Sequence, residues 1–263
     1  MNGDGAFGGR FILFLDFLGT SAAIANWPPE RLHQFVDLLI GVRNLQRAES
    51  IDGEPLPDGG YKLTLTPEIS TFSDHIAISY GVWPSVAEGG IEYMSRIQPE
   101  WICQDLIRYV SDIAAFALSH GLLIRGAFCF GDLYHKDGVV IGQAMLDAYR
   151  MESTEAIGPR ILVSDQVARM VGSPEDRQDL FLKDSDGRWH LNYFNNLVRH
   201  AADQGYGDPN MYVAWKTNTL AMIDAEIQAA SACADEDHRA RRVAKWQWFR
   251  ERFLEATAHI QDL

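Results

Sequence analysis

Two aspartates in apolar surroundings are the residues of this sequence that most need a chemical explanation. Asp16 interrupts the apolar stretch FILFLDFLGTS, and Asp74 lies between β-branched and aromatic residues in STFSDHIAIS. An ionised carboxylate that leaves water is strongly destabilised unless a partner compensates it. Carboxylate oxygens suit hard cations such as Mg²⁺ and Mn²⁺, which also bind phosphates. The pair therefore predicts a divalent-metal site. The alternative is a helix N-cap acid and a hairpin acid that never meet.

The flanking patterns predict where each aspartate lies in the backbone. Residues 10–16 read as a buried strand that ends at Asp16, and Gly19 allows a tight turn after it. The segment LTPEISTFSDHIAISYGV has β-branched and aromatic residues on both sides of Ser73 and Asp74. This pattern predicts two strands with Asp74 at the tip between them.

The order of the predicted elements favours one architecture. Helices are expected from Pro28 or Pro29 and over about 100–120, and a strand pair in LLIRGAFCFGDLYHKDGVVIG. A short helix in QAMLDAYRMES, a strand and helix in PRILVSDQVARMV and a hairpin in LFLKDSDGRWHLNYF follow. This order is the βαββαβ arrangement of α+β ferredoxin-like and palm domains, in which the first strand lies beside the hairpin. We expect such a domain over residues 1–215 and a helical C-terminal extension over 216–263.

Composition and charge exclude some classes of partner. The chain has 263 residues and a formal net charge of −13, with 36 acidic residues against 23 Lys and Arg. An acidic surface repels nucleic acids and anionic membranes, so neither is an expected partner. No apolar run reaches the roughly 18–20 residues that span a bilayer. The start, MNGDGAFGGR, lacks the features of a secretory leader, which predicts a cytoplasmic protein.

Four motifs in this order resemble the class III nucleotidyl cyclase catalytic domain. FLDFLG resembles the F-x-D-x-x-G strand of that family, and FSD its second metal-binding acid. IRGAFCFG resembles the R-x-G-x-x-x-G strand, and GQAMLDAYRMES resembles the helix G-x-x-V-N-x-A-A-R-L-E. The resemblance covers roughly residues 10–195. It implies a homodimer with active sites at the interface, where the Trp-rich segment KWQWF would pack, unless that segment belongs to the core.

The resemblance also implies roles for individual residues. Asp16 and Asp74 would bind two Mg²⁺ or Mn²⁺ ions with the backbone carbonyl of Phe17, and Arg150 of the other subunit would stabilise the transition state. Oriented backbone amides can bind phosphate, which predicts nucleotide contacts from the turn Phe17, Leu18, Gly19 and Thr20. Arg125 and Lys183 are candidate triphosphate contacts, with surface ion pairs as the alternative.

Three positions depart from the purine-specific cyclases. Ser70 and Val139 stand where those enzymes contact the base, and Leu146 stands where they keep an Asn, a role that Asp147 could take. Losing both base contacts should change the substrate. This departure resembles the bacterial pyrimidine cyclases of the Pycsar anti-phage system. It implies a UTP or CTP substrate, with UTP favoured, and a cyclic nucleotide that acts on a separate effector. Ser70 is therefore a candidate nucleotide contact.

Other functions are less consistent with the motifs. A phosphatase of the D-x-D-x-T type would need an acid at Leu18, and a diguanylate cyclase would need a G-G-[DE]-E-F hairpin, which is absent. A catalytically inactive palm domain that binds nucleotide or dimerises is the remaining alternative. The eight histidines show no metal-ligand spacing, and no role is assigned to them.

Overall fold

The structure is a computed structural model that describes residues 7–45, 67–81, 99–198 and 209–260. Eight strands in these ranges form one sheet. They are β1 (Phe7–Leu18), β2 (Glu68–Phe72), β3 (His75–Gly81), β4 (Leu123–Lys136), β5 (Val139–Ile141), β6 (Ile161–Val163), β7 (Phe181–Lys183) and β8 (Trp189–Leu191). The strand order is β2-β3-β1-β4-β6-β8-β7, and β5 pairs with β4.

The sheet has the predicted ferredoxin-like core. β1 lies between β3 and β4 and runs antiparallel to both, while β4 is parallel to β6. The α+β prediction is confirmed. Both bounds of the first strand differ from the predicted 10–16: β1 begins at Phe7 and continues past Asp16 to Leu18, because Phe17 and Leu18 still pair with β4. Asp16 therefore lies inside the strand and not at its end.

Helices connect the strands in the predicted order. They are α1 (Thr20–Asn26), α2 (Pro29–Leu45), α3 (Pro99–Ser119), α4 (Gln143–Arg150), α5 (Asp165–Val171), α6 (Pro209–Ser231) and α7 (Glu236–Ala256). A π-helical turn, Met151–Glu155, extends α4, Pro174–Asp176 is a 3-10 turn, and residues 194–198 are helical. Gly121 follows α3 with φ +66°, the left-handed conformation that often ends a helix.

The two faces of β1 enter different cores. Side chains at alternate positions of a strand point to opposite faces of the sheet. Leu13 and Leu15 belong to a large apolar core with Phe35 of α2 and Leu106 of α3. Phe14 belongs to a smaller core that includes residues of α4. By this alternation, Asp16 lies on the face that α4 covers.

The C-terminal helices pack against the sheet domain. Trp246, Phe249 and Phe253 of α7 are buried in the large core. Trp248 donates a hydrogen bond from Nε1 to Asp184 Oδ2 at 3.1 Å, beside the end of β7. The KWQWF segment thus contributes core residues. Helix α6 begins at Pro209 and so starts before residue 216, where the sequence predicts that the helical extension begins. No helix in the described ranges has the length and apolar character required to cross a membrane.

Candidate metal and nucleotide site

The two aspartates meet near the C-terminal end of β1, two residues before the strand stops at Leu18. The register between β1 and β3 places Asp16 opposite His75, and Asp74 is the last residue of the turn that joins β2 to β3. One ligand atom from each of Asp16, Asp74 and His75 can be chosen so that all three lie within 4.8 Å of one another. The backbone N–H of Phe17 donates to the carbonyl oxygen of Asp74 at 3.3 Å, which joins the strand to the hairpin tip. The sheet order therefore brings the acids together.

Backbone conformation fixes the two segments that carry the acids. Ser73 has φ +55° in the hairpin turn, and Gly19 has φ +99° in the turn after β1. Residues other than glycine are strained at positive φ angles. A Cβ at Gly19 would meet only Leu122, at an ordinary 3.6 Å, so the backbone angle and not the space requires glycine there.

Thr20 links the turn after β1 to Asp74. Its side chain is buried, and its hydroxyl lies 3.1 Å from the carbonyl oxygen of Phe17 and within hydrogen-bond distance of Asp74 Oδ2. The single hydroxyl proton can be donated to either oxygen. Thr20 therefore helps to place both the carboxylate and the backbone carbonyl that the sequence predicts as metal ligands.

Hydrogen bonds keep Asp74 ionised. Burial opposes ionisation, but hydrogen bonds from Thr20 and Ser73 outweigh it and hold the pKa of Asp74 below its ordinary value. The Ser73 hydroxyl donates to Asp74 Oδ1 at 2.8 Å. An ionised carboxylate is the form that binds a cation.

Arg125 compensates Asp16 and a second buried acid. Its Nη2 lies 3.0 Å from Asp16 Oδ2 and 2.5 Å from Glu152 Oε1, and the Glu152 side chain is only 3% exposed. Burial raises the pKa of Asp16 and of Glu152, and the Arg125 charge opposes both shifts. Arg125, predicted as a triphosphate contact, is thus engaged in an ion-pair cluster. No sequence motif indicates this role for Glu152.

His75 faces both aspartates. Its Nε2 lies 3.6 Å from Asp16 Oδ1, and its Nδ1 lies 3.4 Å from Asp74 Oδ1. The ring stacks on Phe14 at 5.1 Å and on Phe72 at 5.6 Å between ring centroids. The sequence analysis assigned no role to this histidine. Its position directly after Asp74, at the start of a strand that pairs with the Asp16 strand, was the available signal.

Ser70 belongs to a buried polar network beside this site. Its hydroxyl lies 2.9 Å from His135 Nε2, and His135 Nδ1 lies 2.8 Å from the Ser79 hydroxyl. Arg10 donates from Nε to the same Ser79 oxygen at 3.2 Å. Burial, assisted by the Arg10 charge, lowers the pKa of His135 to about 4. His135 thus engages the Ser70 hydroxyl within the protein. Contact between Ser70 and a nucleotide base stays a prediction.

Helix α4 presents Arg150 to solvent. The Arg150 side chain is 68% exposed, and its Nη2 lies 3.5 Å from Asp147 Oδ1. Leu146 and Tyr149 on the same helix are also exposed, although Tyr149 makes an edge contact with the Phe14 ring. Gly142 precedes the helix, and a Cβ there would lie 2.3 Å from the carbonyl oxygen of Asp132. The close approach of two backbones therefore sets where α4 begins.

Two lysines differ in their relation to the acids. Lys183 lies on β7, which is separated from β1 by three intervening strands, and its Nζ lies 4.9 Å above the Trp189 ring. It therefore does not join the acid cluster. Lys245 of α7 is partly buried, and burial lowers its pKa, with Arg125 adding to the shift and Asp16 opposing it. The C-terminal helix thus brings a cation within electrostatic range of Asp16, which the sequence analysis missed.

The donor set suits a divalent cation. Asp16, Asp74 and His75 form the one group of acidic, histidine or cysteine side chains in the described ranges that could hold a metal ion. Two carboxylates and a nearby backbone carbonyl provide the oxygen ligands that Mg²⁺ and Mn²⁺ prefer. The predicted ligands Asp16, Phe17 and Asp74 therefore lie together. Arg150 lies on the exposed surface of α4, where its guanidinium is close to Asp147.

Comparison with known proteins gives a distant structural likeness. No protein-family model matches the chain, and no curated protein matches its sequence. The adenylyl cyclase CyaB from P. aeruginosa is similar in structure, with 13% identity, coverage of 70% of this chain and 93% of that one, and a TM-score of 0.40. The catalytic core of a rhodopsin-guanylyl cyclase with converted specificity, in complex with ATPalphaS, has 13% identity, coverage of 70% and 96%, and a TM-score of 0.39. Likeness at this level does not assign an activity.

Proposed function

We propose that this protein is a pyrimidine nucleotide cyclase that converts UTP to 3′,5′-cyclic UMP and pyrophosphate. The observation that supports this function is the convergence of Asp16 and Asp74 with the Phe17 backbone at the end of β1. These are the positions that match the metal-binding motifs of class III cyclases. The reaction joins the ribose 3′-oxygen to the α-phosphorus, breaks the bond to the β-phosphate and releases the hydroxyl proton.

The side chains of this site prepare it for a metal-bound triphosphate. Divalent ions, when bound, lower the pKa of the ribose hydroxyl and stabilise charge on the α-phosphate. Asp16, Asp74 and the Phe17 carbonyl would hold these ions. Because the chain carries a formal net charge of −13, a free triphosphate is repelled, and local cations are needed. Lys245, whose pKa responds to the Asp16 charge, is a candidate for that purpose, whereas Arg125 is paired with the acids.

The proposed substrate base rests on two residues that differ from those of purine cyclases at the base-contacting positions. Ser70 and Val139 replace the base-contacting residues of purine cyclases, and Ser70 is only 4% exposed. A site without the matching donors and acceptors discriminates against a purine. A cytidylate cyclase that makes cyclic CMP is the second candidate, since the same substitutions fit it.

A substrate panel tests the proposed function. The purified protein is incubated with Mn²⁺ and each of ATP, GTP, CTP and UTP in turn, and products are identified by mass spectrometry. We expect cyclic UMP from UTP and far less product from the purine nucleotides. Cyclic CMP as the main product would support the second candidate. No cyclic product from any nucleotide, with a cooperative thermal transition retained, would leave the inactive palm domain as the better description.

We also propose a homodimer whose two subunits share each active site. Arg150 faces solvent, and so do five apolar side chains of β2, β5 and α4, namely Phe72, Val139, Ile141, Leu146 and Tyr149. A second copy that covers these side chains would bring its Arg150 towards Asp16 and Asp74. Apolar exposure of this kind commonly marks an interface.

Mixing two inactive variants tests the shared site. Asp16→Asn and Arg150→Ala should each be nearly inactive, because each removes a group from both sites of its own dimer. In a mixed dimer one site keeps both groups, so an equimolar mixture that exchanges subunits freely should regain about a quarter of the wild-type activity. The control is the homodimer of the Asp16→Asn, Arg150→Ala double variant, in which neither site keeps both groups. A mixture that stays inactive, although sedimentation shows mixed dimers, would contradict a site shared in this way.

We propose that the product acts as a second messenger in anti-phage defence. A cyclic pyrimidine nucleotide would bind a separate effector, so that the cyclase itself needs no contact with membrane or nucleic acid and works in the cytoplasm. Cyclic UMP should rise in phage-infected bacteria that express the wild-type chain and not in those that express Asp16→Asn. A level that is unchanged by infection would contradict the signalling role without affecting the enzymatic one.

A further inference from the structure

The His75 ring lies between two carboxylates without a normal hydrogen bond to either. The separations are 3.6 Å from Nε2 to Asp16 Oδ1 and 3.4 Å from Nδ1 to Asp74 Oδ1. Good hydrogen bonds between nitrogen and oxygen are about 2.7–3.2 Å long. Ligand atoms that share one octahedral ion at about 2.1 Å are roughly 3 Å apart or more. The spacing at His75 is therefore closer to that of ligands around a cation than to that of a hydrogen-bonded pair.

Aromatic neighbours hold the ring in this orientation. Phe14 and Phe72 stack on His75 with interplanar angles of 14° and 15°. Phe14 is buried, and Phe72 is the last residue of β2, next to the hairpin turn. Because the ring planes are nearly parallel to those of its neighbours, rotation of the imidazole would disrupt both contacts. The ring edge is thus directed at the carboxylates before any ion arrives.

The oxygens of Asp16 are divided between two neighbours. Arg125 engages Oδ2 at 3.0 Å, whereas Oδ1 is the oxygen that faces His75 Nε2. On the other side of the ring, Nδ1 faces Asp74. A metal-ligating histidine commonly offers one nitrogen to the ion and donates its other N–H to a carboxylate. At His75, Nδ1 faces the Asp74 carboxylate at 3.4 Å, longer than a good hydrogen bond, and Nε2 is directed at Asp16 Oδ1, so that an ion held by that oxygen would lie within reach of Nε2.

We propose that His75 is a nitrogen ligand of the divalent ion that Asp16 holds. The inference rests on the metal site of the proposed function and adds to it a ligand that the oxygen-only set lacks. Transition-metal ions accept imidazole more readily than Mg²⁺ does. The site therefore selects Mn²⁺ over Mg²⁺, and His75 is the residue responsible for that preference.

Pulsed electron paramagnetic resonance of bound Mn²⁺ tests this ligand directly. The full chain is loaded with Mn²⁺ alone, without nucleotide. We expect a ¹⁴N modulation from a coordinated imidazole, which changes to the ¹⁵N pattern when all histidines carry ¹⁵N. His75→Gln should abolish the modulation and weaken Mn²⁺ binding about 10- to 100-fold. His33→Gln, an exposed histidine on α2 at the opposite face of the sheet, should change neither.

The outcomes separate this inference from the proposed function. Mn²⁺ bound by the wild-type chain without nitrogen modulation, or with modulation that His75→Gln preserves, would overturn the His75 ligand and leave the cyclase proposal intact. Mn²⁺ binding that is absent, or that Asp16→Asn does not weaken, would overturn both. If His75→Gln does not fold, the ¹⁵N-histidine substitution in the wild-type chain decides, since His75 is the histidine in the described metal-binding group.

Discussion

The two faces of β1 differ in what their side chains do. On one face Leu13, Leu15 and Phe17 are buried beneath α2 and α3 in the large apolar core. On the other face Ile12 and Phe14 are equally buried, but the next residue in the alternation is Asp16. One strand thus supports stability through one set of positions and carries charge through the other. Substitutions on the two faces should therefore affect different properties of the protein.

The largest expected effect is loss of activity from the charged face. Asp16→Asn removes a negative charge from the metal site, and several kcal/mol of lost charge stabilisation corresponds to an activity decrease of about 1,000-fold or more. The unfolding free energy should change by only about 1 kcal/mol, because Arg125 keeps its ion pair with Glu152. Product formation and denaturant unfolding are measured on the same sample. Asp165→Asn, an exposed acid on α5, is the matched control. Comparable losses in both variants would contradict a local role for Asp16.

The apolar face should show the opposite behaviour. Phe128 is fully buried in the large core and stacks on Phe11 at 5.7 Å between ring centroids. Phe128→Ala leaves a cavity and should lower the unfolding free energy by about 3–5 kcal/mol. Activity per folded molecule, measured well below the new melting temperature, should stay close to that of wild type. A loss of activity larger than the unfolded fraction explains would show that the two faces are coupled.

The smallest expected effect is the pH dependence of stability that arises from two buried histidines. Burial lowers the pKa of His135, near the site, and of His190, on β8, to about 4 each. Both pKa values are below the unfolded value of about 6.5. The native state therefore binds fewer protons, so the stabilisation is complete above pH 6.5 and decreases as pH falls towards 4. Each histidine should contribute up to about 2 kcal/mol of stability loss between pH 7 and pH 5.

Variants isolate each contribution. Urea unfolding of wild type, His135→Gln and His190→Gln is compared at pH 7 and pH 5, and only the difference between the two pH values is used. The unfolding free energy of each variant should decrease less than that of wild type between pH 7 and pH 5. A decrease equal to that of wild type in His135→Gln alone would indicate that its network remains accessible to water.

The approach of Asp16 and Asp74 could be predicted because it depends on strand order. The βαββαβ sequence places β3 beside β1, and the turn at Ser73 and Asp74 follows from local pattern. The partners of these acids could not be predicted in the same way. Arg125 contacts Asp16 because the β1–β4 register places the two residues opposite each other. Glu152 contacts Arg125 from a π-helical turn. Lys245 comes near through the packing of α7, more than two hundred residues along the chain.

The ion pairs of Arg125 bear on how the candidate metal site can form in the absence of a cation. The Arg125 guanidinium contacts the carboxylates of Asp16 and Glu152, and Asp74 lies beside Asp16. These three carboxylates and the one guanidinium together carry an excess of two negative charges when all are ionised. That excess equals the charge of a single divalent ion. Because the guanidinium already offsets part of the repulsion, the chain can reach its native shape before a cation arrives. A divalent ion would then bind to a site that has already formed, and its binding would depend on the cation concentration and not on the folding of the chain.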